Sequence, residues 1–572
     1  MSTNKKNNFI LQAGILAAAG FISRIIGLLY VSPVAAIIGT VGLGYYSSAY
    51  TYYTIILLIS SYSIPSAISK VIAQKLSLKE YKNAHRIFIC ALYYVLAVGL
   101  AASLLLYFGA GFFVEDSAIP VLRVFAPTIF LYGILGVLRG YFQAHKSMVQ
   151  TSISQILEQI VNAIVSVVAA YGFVQLAMKQ AGVTGAAPVT GGIAGLGTVV
   201  GTGSGEFGSV VENTKAIYGA MGSALGTGAG VLFALLFMVC IYGLNRPLFQ
   251  RRMKRDKTEQ LDSYKDISRT IAGVVLPFIL STAAYNLSAS LNNKLYTSIM
   301  IYKKGVEETL VYNDYGIFNG EAMKISNIPI AFASAMAAAI IPTISQLVAR
   351  KEVENAKAKI AQAIKTIMVV SIPSAVGIFV LARPILLLLF PKEANMQLAE
   401  RTLMALAVSV VFYALSTLSS SILQGIGKVN APIVNAVIAL ILQTITLLPL
   451  LLFTDLGVYS LVAASIVYSL AMCILNQISV RKAVAYRQEI LRTMVIPSVA
   501  SVFMGALAWV VYHGMYLLTE SNIISIVPAV VLAVAVYFVL LVLLKGMTEG
   551  ELRAMPKGYL LVKLAKKCRL LR

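Results

Sequence analysis

Five ionisable side chains fall inside otherwise apolar stretches of this chain: Arg24, Glu158, Lys294, Glu321 and Lys324. A charge at membrane depth costs roughly 2.5 to 3.5 kcal/mol on insertion scales, so it persists where it meets a partner or a wet cavity. Arg24 is the most demanding of the five, about fourteen residues from either end of its apolar run, with Gly20 and Gly27 at helical spacing around it. No carboxylate lies within reach on its own helix. It requires a partner from another segment, such as Glu158, or an anionic ligand. Around the other charges run polar stripes at intervals of three and four, which share one helical face. One consists of Ser152, Gln155, Glu158, Gln159, Asn162 and Ser166; a second, of Thr282, Asn286, Ser290 and Asn293, ends beside Lys294. Glu321 and Lys324 stand one turn apart, and Asn327 follows on the lysine's face.

Arginine grips a phosphate through two parallel hydrogen bonds, and lysine acts as a point charge. Three cations against two carboxylates therefore suit a phosphate-bearing substrate, whereas an exporter of cationic drugs calls for surplus acid. We take Arg24, Gln155, Glu158, Asn286, Lys294, Lys324 and Asn327 as the candidate substrate-binding set. Plainer readings stand beside it. Lys294 and Glu321 lie near a span boundary, where side chains snorkel to headgroups. Glu321 and Lys324 can neutralise each other at (i, i+3), and polar stripes also serve as interhelical glue. No organic cofactor is implied. The energy source is left between a coupling ion, H+ or Na+, for which Glu158 is a candidate site, and the membrane potential. That potential contributes ~2.3 kcal/mol per charge per 100 mV, or ~4 to 5 kcal/mol for a diphosphate.

The elements that must position these residues are membrane spans. Of 572 residues 58% are hydrophobic and only 12% charged, with a mean hydropathy of +0.82. Apolar runs of ~20 residues recur along the chain, each long enough to cross ~30 Å of hydrocarbon as a helix. We read fourteen, at 9–38, 45–69, 87–110, 120–142, 149–177, 217–244, 270–297, 316–347, 361–390, 402–426, 431–454, 458–480, 493–518 and 522–545. With both termini cytoplasmic, 35 of the 46 Lys and Arg fall on the inner side, 8 outside and 3 within spans, Arg139, Lys365 and Lys545 being counted with the inner loops and Arg123 and Arg383 with the outer. That asymmetry is the positive-inside pattern, and it explains the net charge of +23 without nucleic acid. The first span is read as retained rather than cleaved as a signal peptide, because apolar sequence continues past Ala17-Ala18-Ala19 to Ile38.

Similar turns recur about 275 to 282 residues apart. Ile64-Pro65 is echoed by Ile341-Pro342, and Gly140-Tyr141-Phe142-Gln143 by Ile422-Leu423-Gln424-Gly425. Six spans separate the copies, so the halves are parallel, a transporter architecture with its site near the midplane. The expected fold is an all-α polytopic membrane protein. It has a six-helix lobe over 1–245, a basic cytoplasmic linker at 246–269 and a second six-helix lobe over 270–480. Two further helices follow over 481–546, then a basic tail at 547–572. Residues 178–216 and 298–315 read as soluble insertions outside the membrane. The first contains Gly203-Ser204-Gly205-Glu206-Phe207-Gly208, which matches a dinucleotide pattern without the strand that motif needs, and reads as a flexible linker. Tyrosines 45, 46, 50, 52 and 53 read as an interfacial aromatic belt. The four cysteines form no disulfide or zinc pattern, the three histidines are scattered, and no phosphate loop or hydrolase motif occurs.

Phe21-Ile22-Ser23-Arg24-Ile25-Ile26-Gly27, the Ile64-Pro65 close of the second span and the Gln424-to-Lys428 turn resemble the multidrug/oligosaccharidyl-lipid/polysaccharide exporter superfamily. The likeness is to its polysaccharide-transport branch, which holds stage V sporulation protein B and the MurJ-type lipid II flippases. It implies two six-helix lobes with a basic cavity gripping a diphosphate, two extra helices grooved for a lipid tail, and alternating access. Arg24 matches the first arginine of the flippase Ser-Arg-x-x-Gly motif. Tyr30 stands where those flippases place a second arginine, and the second span carries no basic residue. The implied partner is an undecaprenyl-diphosphate-linked glycan in the bacterial cytoplasmic membrane, with wall-synthesis enzymes as further candidates. A lipid II flippase is the leading expectation. An ion-coupled multidrug exporter, or a non-transporting scaffold for wall synthesis, stands as the alternative.

Overall fold

Backbone groups in hydrocarbon have no water to bond, so apolar runs of this length satisfy themselves as helices. In the computed structural model no strand occurs among the described residues, which are 19–20, 22–62, 64–145, 147–180, 205–256, 258, 261–486, 488–547, 549–550 and 563. The signal-peptide question, Cys568 and the segment 181–204 lie outside them. The other three cysteines, Cys90, Cys240 and Cys473, are free thiols. Among the described residues ten helices are long and apolar enough to cross a membrane, or up to eleven if the bent pair Ile22–Leu29 and Val31–Ser61 counts as one span.

Contacts divide the chain into two compact units, Met1–Gly316 and Ile317–Arg572. The first contains α1 (Ile22–Leu29), α2 (Val31–Leu57), α3 (Ile64–Ser77), α4 (Tyr81–Phe108), the single turn α5 (Ala110–Phe113) and α6 (Ile119–Ala144). It continues through α7 (Met148–Gln180), α8 (Gly205–Lys254), α9 (Tyr264–Ser298) and the short α10 (Glu308–Tyr315). The second contains α11 (Met323–Ala349), α12 (Val353–Val380), α13 (Ala382–Leu389), α14 (Met396–Gly425), α15 (Asn430–Phe453) and α16 (Val458–Val484). It ends with α17 (Ile496–Thr519) and α18 (Asn522–Leu543), which pack on each other and, through Val369 and Val376, on α12.

Two expectations are corrected here. Residues 205–216 are helical: they form the first three turns of the 50-residue α8 rather than a linker. Nor is 298–315 a detached insertion, because it is a π-turn (Ile299–Lys303) followed by α10, whose Val311, Tyr312 and Tyr315 are buried. The tyrosine belt fails for a related reason. Tyr45, Tyr46, Tyr52 and Tyr53 are all under 8% exposed, and only Tyr50 stays open at 43%. Their rings pack on Phe125, Phe113 and Tyr312, with Tyr53 stacked on Phe125 at 4.9 Å between centroids. Helical spacing alone does not separate a lipid-facing aromatic face from one that packs inward.

Small residues set the closest approaches. On α8, Gly222, Gly226 and Gly230 repeat every fourth residue against α7. A Cβ at Gly226 would lie 2.1 Å from Ser166 Oγ, and one at Gly230 2.5 Å from the Glu158 carbonyl. Without a hydrophobic drive inside lipid, such backbone proximity is what lets packing and hydrogen bonds hold two helices together. Gly39 adopts φ 72° and ψ 175°, a break within α2 that a side chain would strain. Gly44 meets α10 so closely that a Cβ would stand 1.9 Å from the Tyr312 carbonyl oxygen. Gly44→Ala is therefore expected to cost about 1 to 3 kcal/mol of stability. Gly377→Ala, with nothing within 4 Å, serves as the neutral control. Thermal melting of the purified pair checks this, and equal midpoints would refute it.

Candidate functional site

Arg24 projects from α1, a helix bent by 47° from the segment that follows it. Its side chain is exposed, and among the described residues it has no hydrogen bond and no ion pair. The face of α1 beside it rests on α7. Ser23 Oγ donates to the Gln155 carbonyl at 3.5 Å, and a Cβ at Gly27 would touch Gln159 Oε1 at 3.7 Å. Gln155 keeps its own side-chain oxygen buried without a partner. Two members of the α7 stripe, Gln155 and Gln159, thus stand at the helix that carries Arg24.

The partner offered for Arg24 is taken elsewhere. Glu158 pairs with Arg139 on α6, Nη2 to Oε2 at 2.8 Å, while Arg139 Nε donates to Ser154 Oγ at 2.8 Å. The two side chains are 4% and 15% exposed. Arg139 was grouped with the inner loops in the sequence, yet it lies within the helix, five residues before the end of α6. A signal was available. α6 and α7 are joined by a three-residue turn, so they run side by side, and a long cation near the end of α6 is within reach of polar side chains in the first three turns of α7. The pair is electrically neutral, so Glu158 does not serve as the partner of Arg24.

Deeper along α7 the stripe turns structural. Ser166 Oγ donates to Asn162 Oδ1 at 2.9 Å and contacts the Ser223 carbonyl on α8 at 3.0 Å. Tyr30, at the position where the flippase motif carries its second arginine, hydrogen-bonds Tyr46 and Asn162. The phenol reaches the stripe that a longer cation would reach, but delivers no charge to it.

Lys294, four residues before the end of α9, sits in a cluster on Glu115. Its Nζ lies 2.9 Å from Glu115 Oε1, Tyr302 donates to Oε2 at 2.5 Å, and Ser298 Oγ approaches Oε1 at 3.4 Å. Lys294 is 40% exposed and Glu115 7%, so this lysine neither snorkels alone nor offers an unpaired charge. Burial raises the Glu115 carboxyl, but hydrogen bonds from Tyr302 and Lys294 outweigh it and hold the group below the usual carboxylate range. A carboxylate with a depressed folded pKa stabilises above its unfolded pKa and loses that contribution as pH falls through the folded value. The cluster is thus expected to hold unchanged across neutral pH and to open only in acid. Glu115→Gln should lower the melting midpoint at pH 7 but not at pH 3, and an equal effect at both would refute it.

Of the second stripe, Thr282 and Asn286 have side chains outside the described residues. Ser290 and Asn293 are buried, with Asn293 Nδ2 donating to Ser48 Oγ at 2.8 Å. In the second unit Lys324 is half-buried and Asn327 exposed on α11. Glu321 is 1% exposed, with the charges of Glu393 and Lys324 acting on it. Neither Glu393 nor Glu115 was visible as a site residue, because both lie in loops and only packing brings them to the span ends.

A chain that is helical in two compact units, with ten or more apolar helices among the described residues long enough to cross a bilayer, is a multi-pass membrane protein. The family described as lipid II flippase MurJ matches residues 83–531. The chain belongs to that family. It is 24% identical over 543 residues to lipid II flippase MurJ of Bacillus subtilis, covering 91% of this chain and 92% of that protein. Stage V sporulation protein B of the same organism is 20% identical over 560 residues, covering 96% and 98%. Among solved structures, lipid II flippase MurJ in an inward closed conformation aligns with a TM-score of 0.61. The identity is 13%, with 92% of this chain and 97% of that one covered. That likeness carries the fold: membership places the chain among transporters of peptidoglycan synthesis rather than catalytic enzymes.

Proposed function

We propose that this protein flips a lipid-linked oligosaccharide, lipid II foremost, from the inner to the outer leaflet of the bacterial cytoplasmic membrane by alternating access. The proposed topology has fourteen spans with both termini cytoplasmic. Arg24 supplies the bidentate grip on the diphosphate, and Gln155 adds an unsatisfied polar atom beside it. Lys324 and Asn327 are the candidate diphosphate contacts within the second unit, and Asn286 is a further candidate by its place in the sequence. Lys294 and Glu158 act through their ion pairs, with Glu115 and Arg139, as shapers of the site. The undecaprenyl chain is the lipid moiety, the membrane potential drives the anion outward, and wall-synthesis enzymes are the protein partners.

One observation carries this reading: within the family fold, Arg24 is exposed amid apolar sequence and has no partner among the described residues. An uncompensated guanidinium there is costly in lipid and stabilised by a phosphate in a wet vestibule. The test is protein-dependent accessibility of fluorescent lipid II in reconstituted vesicles. Transfer is expected to require the protein and to quicken when the receiving side is made positive. Vesicles that flip lipid II no faster with the protein than without it refute the reading.

A further inference from the structure

α9 is tied to the rest of the first unit at both ends, and the two ties differ in kind. At the Tyr264 end, Ile267 and Ile271 enter a buried apolar cluster formed by α3, α4, α6 and α8. The polar groups around them are matched. Asp262 pairs with Lys75 at 2.6 Å, and its carbonyl accepts from Arg86 Nη1 at 2.8 Å. The Asp262 amide donates to Asn83 Oδ1 at 3.0 Å, and the Lys82 amide donates to Asp256 Oδ2 at 2.7 Å. Arg86 also lies over the Tyr264 ring, 4.6 Å from its centroid.

At the Ser298 end the contact is polar and poorly matched. Asn293 Nδ2 donates to Ser48 Oγ, and the Tyr52 hydroxyl donates to the Ser290 carbonyl at 3.1 Å. Yet Asn293 Oδ1, Ser290 Oγ and Ser47 Oγ are buried with no hydrogen-bond partner among the described residues. In the buried apolar cluster under α2, Tyr312 is the one member that α9 or α10 supplies among the described residues. A buried polar atom costs its lost hydration unless a protein partner or an ordered water replaces it. Closing the Ser298 end therefore strands polar atoms and buries little apolar surface. The Tyr264 end gains on both counts.

We propose that the Ser298 end of α9 and the α10 that follows form a hinged arm, which pivots at the Tyr264 anchor, parts from α2 and lets water into the seam. The Glu115 cluster is its latch, because Lys294, Ser298 and Tyr302 of the arm converge on that one carboxylate ahead of α6. Shut and parted forms then lie close in free energy, and weakening the latch shifts the population toward the parted one. Use of this motion to release substrate rests on the flippase reading. The arm itself does not.

The full chain in nanodiscs, with its native cysteines replaced by alanine, provides two readouts. The first is the rate at which Ser290→Cys reacts with a water-soluble maleimide. Ser290 is 6% exposed in the shut form, so labelling follows the parted population. Glu115→Gln is expected to speed it about ten- to a hundredfold, the effect of losing a hydrogen bond to a charged group. Tyr302→Phe removes one donor from a side chain that is 71% exposed. It should speed labelling less, and keeps the test decisive if Glu115→Gln does not fold. The second readout is amide exchange at Lys82 and Asp262, whose hydrogens are held across the anchor. It should stay at the wild-type rate in both latch variants. Labelling that neither latch variant speeds overturns the arm. Anchor exchange that rises in step with labelling overturns the pivot, since α9 then leaves as a whole or the unit unfolds. Lipid II transfer in vesicles is measured apart: its absence refutes the flippase reading, and the thiol and amide rates still decide the arm.

Discussion

Arg24→Ala is expected to slow lipid II transfer about ten- to a hundredfold while leaving the fold intact. A hydrogen bond to a charged group contributes about 1.5 to 3 kcal/mol, which corresponds to that range. The argument rests on what Arg24 lacks. It has no protein partner among the described residues, so its removal strands no buried carboxylate and disrupts no packing. Arg24→Lys retains the charge but not the planar fork, and should fall between wild type and alanine. Transfer rates in vesicles and thermal midpoints in detergent are measured together on all three proteins. Unchanged transfer in Arg24→Ala would remove the guanidinium from the binding machinery. Loss of transfer with an equal loss of stability would make it a structural residue.

Arg139→Ala is expected to do the opposite, destabilising strongly whatever its effect on transport. Breaking a buried ion pair by removing one member costs about 3 to 5 kcal/mol, since the survivor is left charged and dry. Here Glu158 would be stranded beside α8 at the Gly230 approach, where the backbones stand too close to admit a compensating side chain. Removing both charges, Arg139→Leu with Glu158→Gln, should recover most of the loss, because a neutral pair leaves no uncompensated ion. The double-mutant cycle on melting midpoints reads this directly. If Arg139→Ala melts as the wild type does but fails to flip lipid II, the pair belongs to the transport cycle rather than to the scaffold.

These contrasting roles were only partly legible in the residues. A lone arginine amid apolar sequence announces itself, because hydropathy is local and Arg24 has nothing nearby to cancel it. Its mirror case, Arg139, was hidden by position: five residues before a polar turn, it resembled one more inner-loop cation. Lys294 looked like a member of the phosphate grip, and proved to be tied to Glu115, a loop residue with no pattern of its own. The tyrosines show the limit from the other side. Their types suit an interface and their spacing suits a helix face, yet which face turns inward depended on Phe125 and Tyr312, which lie about 70 and 260 residues away in sequence.

The amino-acid sequence by itself determined that this chain is helical, crosses a membrane many times, and carries an isolated cation, Arg24, amid apolar residues. Those properties follow from composition and from periodicity within single helices, where each residue's preference acts alone. Which charges cancel was decided only by the tertiary structure. Pairing depends on distances between segments far apart in sequence, and an ångström of backbone approach, as at Gly44 and Gly226, sets whether two side chains can meet.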